Sequence, residues 1–411
     1  MNRRNLLKAM AVPAVGAVLH SVSHPLFAAT AFPSAPASER TPALAEYERL
    51  RFGCSFHFST PTFTGDDYDT GAKPATVYDP SYLDVRQWIR VAHDLGARYA
   101  VLTAKYMSGF CLWPAKGYNY TVRESSNKTD VVAAFVDACH EFGLRPGFYY
   151  CILDPHNEGK FDWDAPIGNA YFQLIKRHVA ELHTLYPGTF YQLFDISWKL
   201  SPQQRWELYR LVKEHNPDCI IVENQGFKKS RVNQGRTCEA ASWPCDVING
   251  EDTLPPLEGH DPHVAYDKKT YYMPFETWFP TGPLYPPMPW MHTWFWHPWY
   301  KAQSPEVIAE AYRLCMKGNA NMLLNLAPDN TGQIPQDQVD TFHRVAELIH
   351  GWVCDRSPRD LSPHVRNLDS AGYRGYSQPR REDESFQNIP TQAPPKCGRP
   401  SGTTSPRSAH V

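Results

Sequence analysis

Five carboxylates, Asp154, Asp195, Glu223, Glu251 and Glu276, each close or follow a short run of β-branched and aromatic residues, and His57, Lys105, Asn224, Asn325 and Asp329 occupy comparable places. Two carboxylates that face one cleft can divide the work of acid, base and nucleophile, which is what cleavage of a glycosidic bond requires. No His/Cys cluster has the spacing of a metal site, so metal-assisted hydrolysis fits less well. Some of these side chains would serve equally as helix caps or rim hydrogen bonds.

The elements that must position these residues alternate regularly. Candidate strands are Phe52 to Phe58, Tyr99 to Ala104, Arg145 to Cys151, Tyr191 to Ile196, Cys219 to Val222, Asp246 to Ile248, Tyr271 to Phe275 and Met322 to Leu326. Amphipathic segments fall between most of them: Asp84 to Leu95, Asp130 to Phe142, Asn169 to Leu185, Pro202 to His215 and Pro305 to Lys317. Eight strands with intervening helices predict an α/β fold of the (β/α)8 barrel type over residues 40–353, irregular between strands 5 and 7, where no clear helix is found. In such a barrel the polar residues after each strand gather at one mouth. A doubly wound sheet is the alternative, but no Gly-rich phosphate turn follows the first strand.

Composition narrows the class. Of 411 residues, 41 are basic and 43 acidic, a net charge of −2 that gives no reason to expect nucleic acid as partner. Aromatics reach 13%, as suits either flat sugar-stacking faces or a Trp-rich core. Residues 1–31 read as a signal peptide: Arg3-Arg4-Asn5-Leu6-Leu7-Lys8 is twin-arginine-like, a short apolar stretch follows, and Ala29-Thr30-Ala31 is a plausible cleavage end. The expected location is therefore periplasmic or secreted, and no later run is apolar enough for a membrane span. The ten cysteines are scattered singly and read mostly as small buried hydrophobes, with Cys238 and Cys245 the one couple close enough in sequence to suggest a bridge. Residues 354–411, rich in Pro, Ser and Arg and poor in aliphatics, read as a disordered tail.

The segment Thr103-Ala104-Lys105-Tyr106-Met107-Ser108-Gly109-Phe110-Cys111-Leu112-Trp113-Pro114 resembles the T-A-K-H-H-D-G-F-C-L-W-P run of glycoside hydrolase family 29, the α-L-fucosidases. Phe52-Gly53 to His57 resembles that family's first strand, and Asp130 to Cys139, Gly143 to Tyr150, Leu193-Phe194-Asp195 and Asn321 to Pro335 resemble further segments in the same order. The resemblance implies a retaining mechanism with Asp195 as nucleophile and Glu251 as acid/base, Glu276 and then Glu239 being the alternatives for the second role. It also implies a sugar site containing His57, Lys105, Tyr106, Trp113 and Phe58, with His57 donating to a hydroxyl and Trp113 lying against the sugar methyl. Trp290, Trp294, Trp296 and Trp299, with Phe295, would line outer subsites or cover the site. No cofactor is implied, because two carboxylates supply the whole chemistry.

The departures from the family pattern bear on the substrate. Tyr106 and Met107 stand where the family has two histidines, Phe58-Ser59 follows His57 in place of W-G, and Ile196-Ser197 follows Asp195 in place of G-G. Lost donors change which sugar is accepted more than which bond is cut. The family commonly continues into a β-sandwich after the barrel, which this sequence does not show. The expected function is an exported retaining exo-glycosidase acting on terminal α-L-fucosyl or related L-sugar residues of an oligosaccharide; the alternative is a non-catalytic glycan-binding protein on a degenerate barrel.

Overall fold

A computed structural model describes residues 35–224 and 242–354. The leader, the tail, Cys238 and Glu239 lie outside the described residues. Eight parallel strands close into a barrel in the order β1-β12-β9-β6-β5-β4-β3-β2. They are β1 (Phe52–Phe56), β2 (Tyr99–Lys105), β3 (Arg145–Cys151), β4 (Tyr191–Asp195), β5 (Ile220–Glu223), β6 (Val247–Glu251), β9 (Phe275–Phe279) and β12 (Ala320–Leu326). The main helices are α1 (Pro42–Leu50), α2 (Val85–Leu95), α3 (Val131–Phe142), α4 (Asn169–Leu185), α5 (Pro202–His215), α6 (Pro305–Lys317) and α7 (Gln336–Cys354).

The five expected helices are present within a residue of their expected bounds, and the chemistry of their ends accounts for where they begin and stop. Asp84 caps α2 by accepting from the Gln87 amide, Asp130 caps α3, and Gly96 and Gly143 end those helices in the left-handed region. Ser201 and Gln204 form a capping box at α5.

The expected irregularity is present and has a definite form. Between β6 and β9 the chain makes an antiparallel ribbon, β7 (His263–Tyr266) with β8 (Lys269–Tyr272), in place of a helix. A second small ribbon, β10 (Leu284–Tyr285) with β11 (Met288–His292), follows β9. This corrects the seventh strand expected at Tyr271 to Phe275. Tyr271 and Tyr272 belong to the ribbon, whose turn holds Asp267 and Lys268 at positive φ, and the barrel strand starts at Phe275. The run Phe275-Glu276-Thr277-Trp278-Phe279 is buried at every position, so a carboxylate in its midst hid a strand from hydropathy.

The displacement moves Glu276 from the mouth to the floor. Its carboxylate is fully buried and accepts from the hydroxyls of Tyr191 (2.7 Å), Tyr47 (2.8 Å) and Tyr99 (2.8 Å) and from the Asn249 side-chain amide (3.0 Å). Tyr47 comes from α1, which plugs the barrel from below, and the Tyr99 ring crosses Gly53 so closely that a Cβ there would stand 2.5 Å from it. Glu276 is thus a structural carboxylate and not an alternative acid/base. Among the described residues, Cys54, Cys111, Cys139, Cys151, Cys219, Cys245 and Cys315 are all buried and unpaired.

Replacing Glu276 by Ala leaves three hydroxyls and an amide without their acceptor, at roughly 1–3 kcal/mol for each unsatisfied group. Glu276→Ala is therefore expected to lose at least about 3 kcal/mol of unfolding free energy in urea titrations. A loss under about 1 kcal/mol would mean that the floor does not depend on this clamp.

Candidate active site

Strand side chains alternate in direction, and this alternation builds the mouth. Tyr191 and Leu193 of β4 pack in the barrel interior, so Asp195 at the strand end points inward as well; Ile220 and Val222 bring Asn224 inward after β5, and Val247 does the same for Glu251 at the end of β6. Three adjacent strands therefore deliver Asp195, Asn224 and Glu251 side by side. The Asn224 side-chain nitrogen donates to Asp195 Oδ1 and to Glu251 Oε2, each at 2.8 Å. The two N–H bonds of an amide diverge by about 120°, so these two oxygens stand about 5 Å apart, the spacing of a retaining carboxylate pair.

Asp195 accepts three further or shared contacts that hold it. The Tyr149 hydroxyl donates to Oδ2 at 2.5 Å, and the Ile196 amide donates to Oδ1 at 2.9 Å. Burial pushes the Asp195 carboxyl up to about 6, the charge of Glu251 adds to the rise, and the bonds from Tyr149, Asn224 and Ile196 pull it back. Glu223 faces the other way: its buried carboxyl accepts from Ser197 and is pushed well up by desolvation.

His57 lies inward at the end of β1, enclosed by the rings of Tyr106, Tyr149, Trp278, Trp294 and Phe295 at centroid distances of 5.1 to 5.9 Å. Its Nδ1 is 2.6 Å from Asn325 Oδ1, while the Asn325 amide donates to the Trp294 carbonyl at 2.8 Å. That amide orientation makes Nδ1 the protonated nitrogen and Nε2 an acceptor, so the donor role expected of His57 is corrected. Burial lowers its pKa to about 4, which keeps the ring neutral near pH 7.

Asp67 fixes the loop that carries Trp294 and Phe295. It accepts from Thr293 Oγ1 (2.8 Å) and the Trp294 amide (2.9 Å), and pairs with His297 Nε2 (2.8 Å). Trp294 and Phe295 are buried against His57, whereas Trp299 is exposed and stacks on His297. Trp296 is half-buried.

Three expected sugar contacts are placed elsewhere. Phe58 shares the parity of Phe56 and packs outward on Trp88 of α2 and on Tyr78 and Phe63. Trp113 is buried behind the wall, its indole donating to Glu181 of α4 at 3.1 Å. Lys105 would point inward by simple alternation, but the β2–β3 register shifts between Thr103 and Lys105 and reverses its face. Its ammonium is buried against Asp154 (3.0 Å), the Cys151 carbonyl (2.9 Å) and the Tyr171 hydroxyl (3.3 Å). The same shift turns Tyr106 inward against Tyr149, and Met107 joins the buried core. Sequence reasoning placed Asn224 and Asn325 at the mouth without a specific role and did not single out Tyr149, Trp278 or Asp67; the period-two alternation within the strands was the available signal for Tyr149 and Trp278. Among the described residues no three His, Cys, Asp or Glu side chains are grouped to hold a metal ion.

A closed parallel barrel with two mouth carboxylates about 5 Å apart is the construction of retaining glycoside hydrolases. The chain belongs to the α-L-fucosidase family, whose family model matches residues 37–351. It is 25% identical over 307 residues to α-L-fucosidase 1 of Arabidopsis thaliana, an alignment covering 71% of this chain and 56% of the relative. To a putative α-L-fucosidase 1 of Oryza sativa subsp. japonica it is 25% identical over 318 residues, covering 74% and 58%. It thus spans a little over half the length of these curated relatives. A crystal structure of a putative α-L-fucosidase from Bacteroides thetaiotaomicron aligns with a TM-score of 0.60 at 25% identity, covering 77% of this chain and 69% of that one. A second structure from that organism, a family 29 α-L-fucosidase trapped as a covalent intermediate with 2-fluoro-fucosyl fluoride, aligns with a TM-score of 0.60 at 18% identity, covering 78% and 77%.

Removing the Lys105 ammonium strands the buried Asp154 charge. Lys105→Met is expected to cost about 3–5 kcal/mol in denaturant unfolding while sugar affinity of the folded fraction is unchanged. Weakened sugar binding at parental stability would return Lys105 to the sugar site.

Proposed function

We propose that this protein is an exported, retaining exo-glycosidase that releases terminal α-L-fucosyl residues from oligosaccharides. The observation that carries the reading is the Asp195–Asn224–Glu251 unit at the barrel mouth. Asp195 attacks the anomeric carbon as the glycosidic C–O bond breaks, and Glu251 gives its proton to the leaving oxygen. Glu251, now a carboxylate, takes a proton from water, which attacks the anomeric carbon and releases Asp195. Two inversions leave the configuration unchanged.

The remaining mouth residues suit a small sugar with one apolar corner. His57 Nε2 accepts from a hydroxyl, and the Tyr106, Trp278 and Phe295 rings around it form an apolar wall for the sugar methyl. Met107 contributes no hydrogen bond where the family has a histidine, so an L-galactose-like sugar, with a hydroxyl at the methyl position, is the competing substrate. Arg3-Arg4 and the apolar run after it support export before action, in the periplasm or beyond; periplasmic protein with an N-terminus near residue 31 is expected on fractionation and mass spectrometry.

Aryl α-L-fucoside is expected to be hydrolysed with α-L-fucose as the first-formed anomer by NMR, faster than aryl α-L-galactoside, and Asp195→Ala is expected to lose at least about 10³-fold in kcat. Because Asp195 must be ionised to attack and its carboxyl is pushed up to about 6, kcat/KM is expected to fall about tenfold per pH unit below that midpoint. No turnover of either glycoside, with fucose binding retained in calorimetry, would replace the enzyme by the glycan-binding alternative.

A further inference from the structure

We propose that Asn224 is a positioning residue of the reaction: one side-chain amide ties the nucleophile to the acid/base, sets their separation, and as a donor stabilises the carboxylate form of Asp195. The inference rests on the roles given above to Asp195 and Glu251.

Its placement leaves little freedom. Asn224 is buried between the ends of β4 and β6, and its backbone amide donates to the Phe194 carbonyl at 2.9 Å. Both acceptors of its side-chain nitrogen are carboxyl oxygens, so the reversed amide would set a carbonyl oxygen against two acceptors. Its own Oδ1 has no hydrogen-bond partner among the described residues, and the two carboxylates alone hold the amide by hydrogen bonds. Serving both sides of the bond to be cut is chemically specific. In the proposed cycle, attack requires the charge on Asp195 and the proton on Glu251. After attack Asp195 is an ester and the charge sits on Glu251. The pair carries one negative charge in both states, and an amide with one N–H on each carboxylate serves both without moving.

The titratable groups whose charge bears on Asp195 are Tyr149 and Cys151 from β3, Glu251 from β6, Tyr106 after β2, Tyr68 after β1 and, from the outer face of β5, Glu223. Of the donors to Asp195, Asn224 alone also touches Glu251 among the bonds the structure shows. Loss of its N–H removes stabilisation of the charged form and raises the Asp195 midpoint.

The test uses the mature protein, Asn224→Ala and the near-isosteric Asn224→Asp, with ¹³C-carboxylate NMR titration of Asp195 assigned by its loss in Asp195→Asn, and pH profiles of kcat/KM on aryl α-L-fucoside. Asn224→Ala is expected to raise the Asp195 midpoint by about one pH unit and to shift the acid limb of kcat/KM equally, about a tenfold loss below the limb. Asn224→Asp, which puts a carboxylate where the donor was, is expected to raise it further. An Asp195 midpoint unmoved in the folded variants overturns the proposal, whatever their activity. If the parent turns over no fucoside and yet the midpoint moves, the fucosidase reading falls and the linkage of the two carboxylates stands.

Discussion

The four hydrogen bonds that converge on Glu276 are the constraint from which the site follows. Tyr47, Tyr99, Tyr191 and Asn249 reach this one carboxylate from α1, β2, β4 and β6, while Glu276 itself lies on β9. A strand slipped by one residue would turn its contributing side chain to the opposite face and leave a buried donor unpaired. The clamp therefore fixes the inward parity of these strands, and parity decides what reaches the mouth. Two steps up β4 from Tyr191 is Leu193, and two more is Asp195; two steps up β6 from Asn249 is Glu251. The floor carboxylate and the mouth pair are read by one register.

Holding Asp195 has a local cost. Ile196, a β-branched residue, is at φ 56, where the family pattern has glycine. Such a conformation costs about 1–3 kcal/mol, and it aims the Ile196 amide at Asp195 Oδ1. The following Ser197 donates to Glu223, so the chain leaves β4 anchored to β5 on the outer face while Asp195 is anchored to Asn224 on the inner one. The turn that carries Asp195 is thus held from both sides of the barrel wall.

Much of this was legible in sequence, for identifiable reasons. The helices were legible as amphipathic segments between the strands, and most strands as unbroken β-branched or aromatic runs, which is how fully buried parallel strands are written. Asp195 and Glu251 were placed at the mouth because they close or follow such runs, and were singled out by the resemblance to the α-L-fucosidase family. Glu276 was misplaced because Tyr271-Tyr272, a solvent-facing ribbon strand, has the same local look as a barrel strand, and only long-range pairing distinguishes them. Lys105 was misplaced by a register shift in β2 that no residue type signals, and Trp113 lies in the loop beyond that strand, where strand alternation gives no direction. Phe58 was different: its parity with Phe56 could have been counted from His57, whose inward direction forces both neighbours outward.

The contrast between the two sets of buried carboxylates explains how one barrel keeps one inert and another reactive. Glu276 accepts four hydrogen bonds, and both of its oxygens are taken in a fully buried floor, so no substrate can approach and no proton need be exchanged. Asp195 also has strong donors, yet it shares one of them with Glu251, whose charge joins burial in raising it to about 6. Burial and the neighbouring negative group, not the shared amide, raise the Asp195 carboxyl, and a glycosyl transfer needs a pair in which one member is charged when the other is acidic. Saturation with donors makes the floor structural; rationing of donors makes the mouth fit for chemistry.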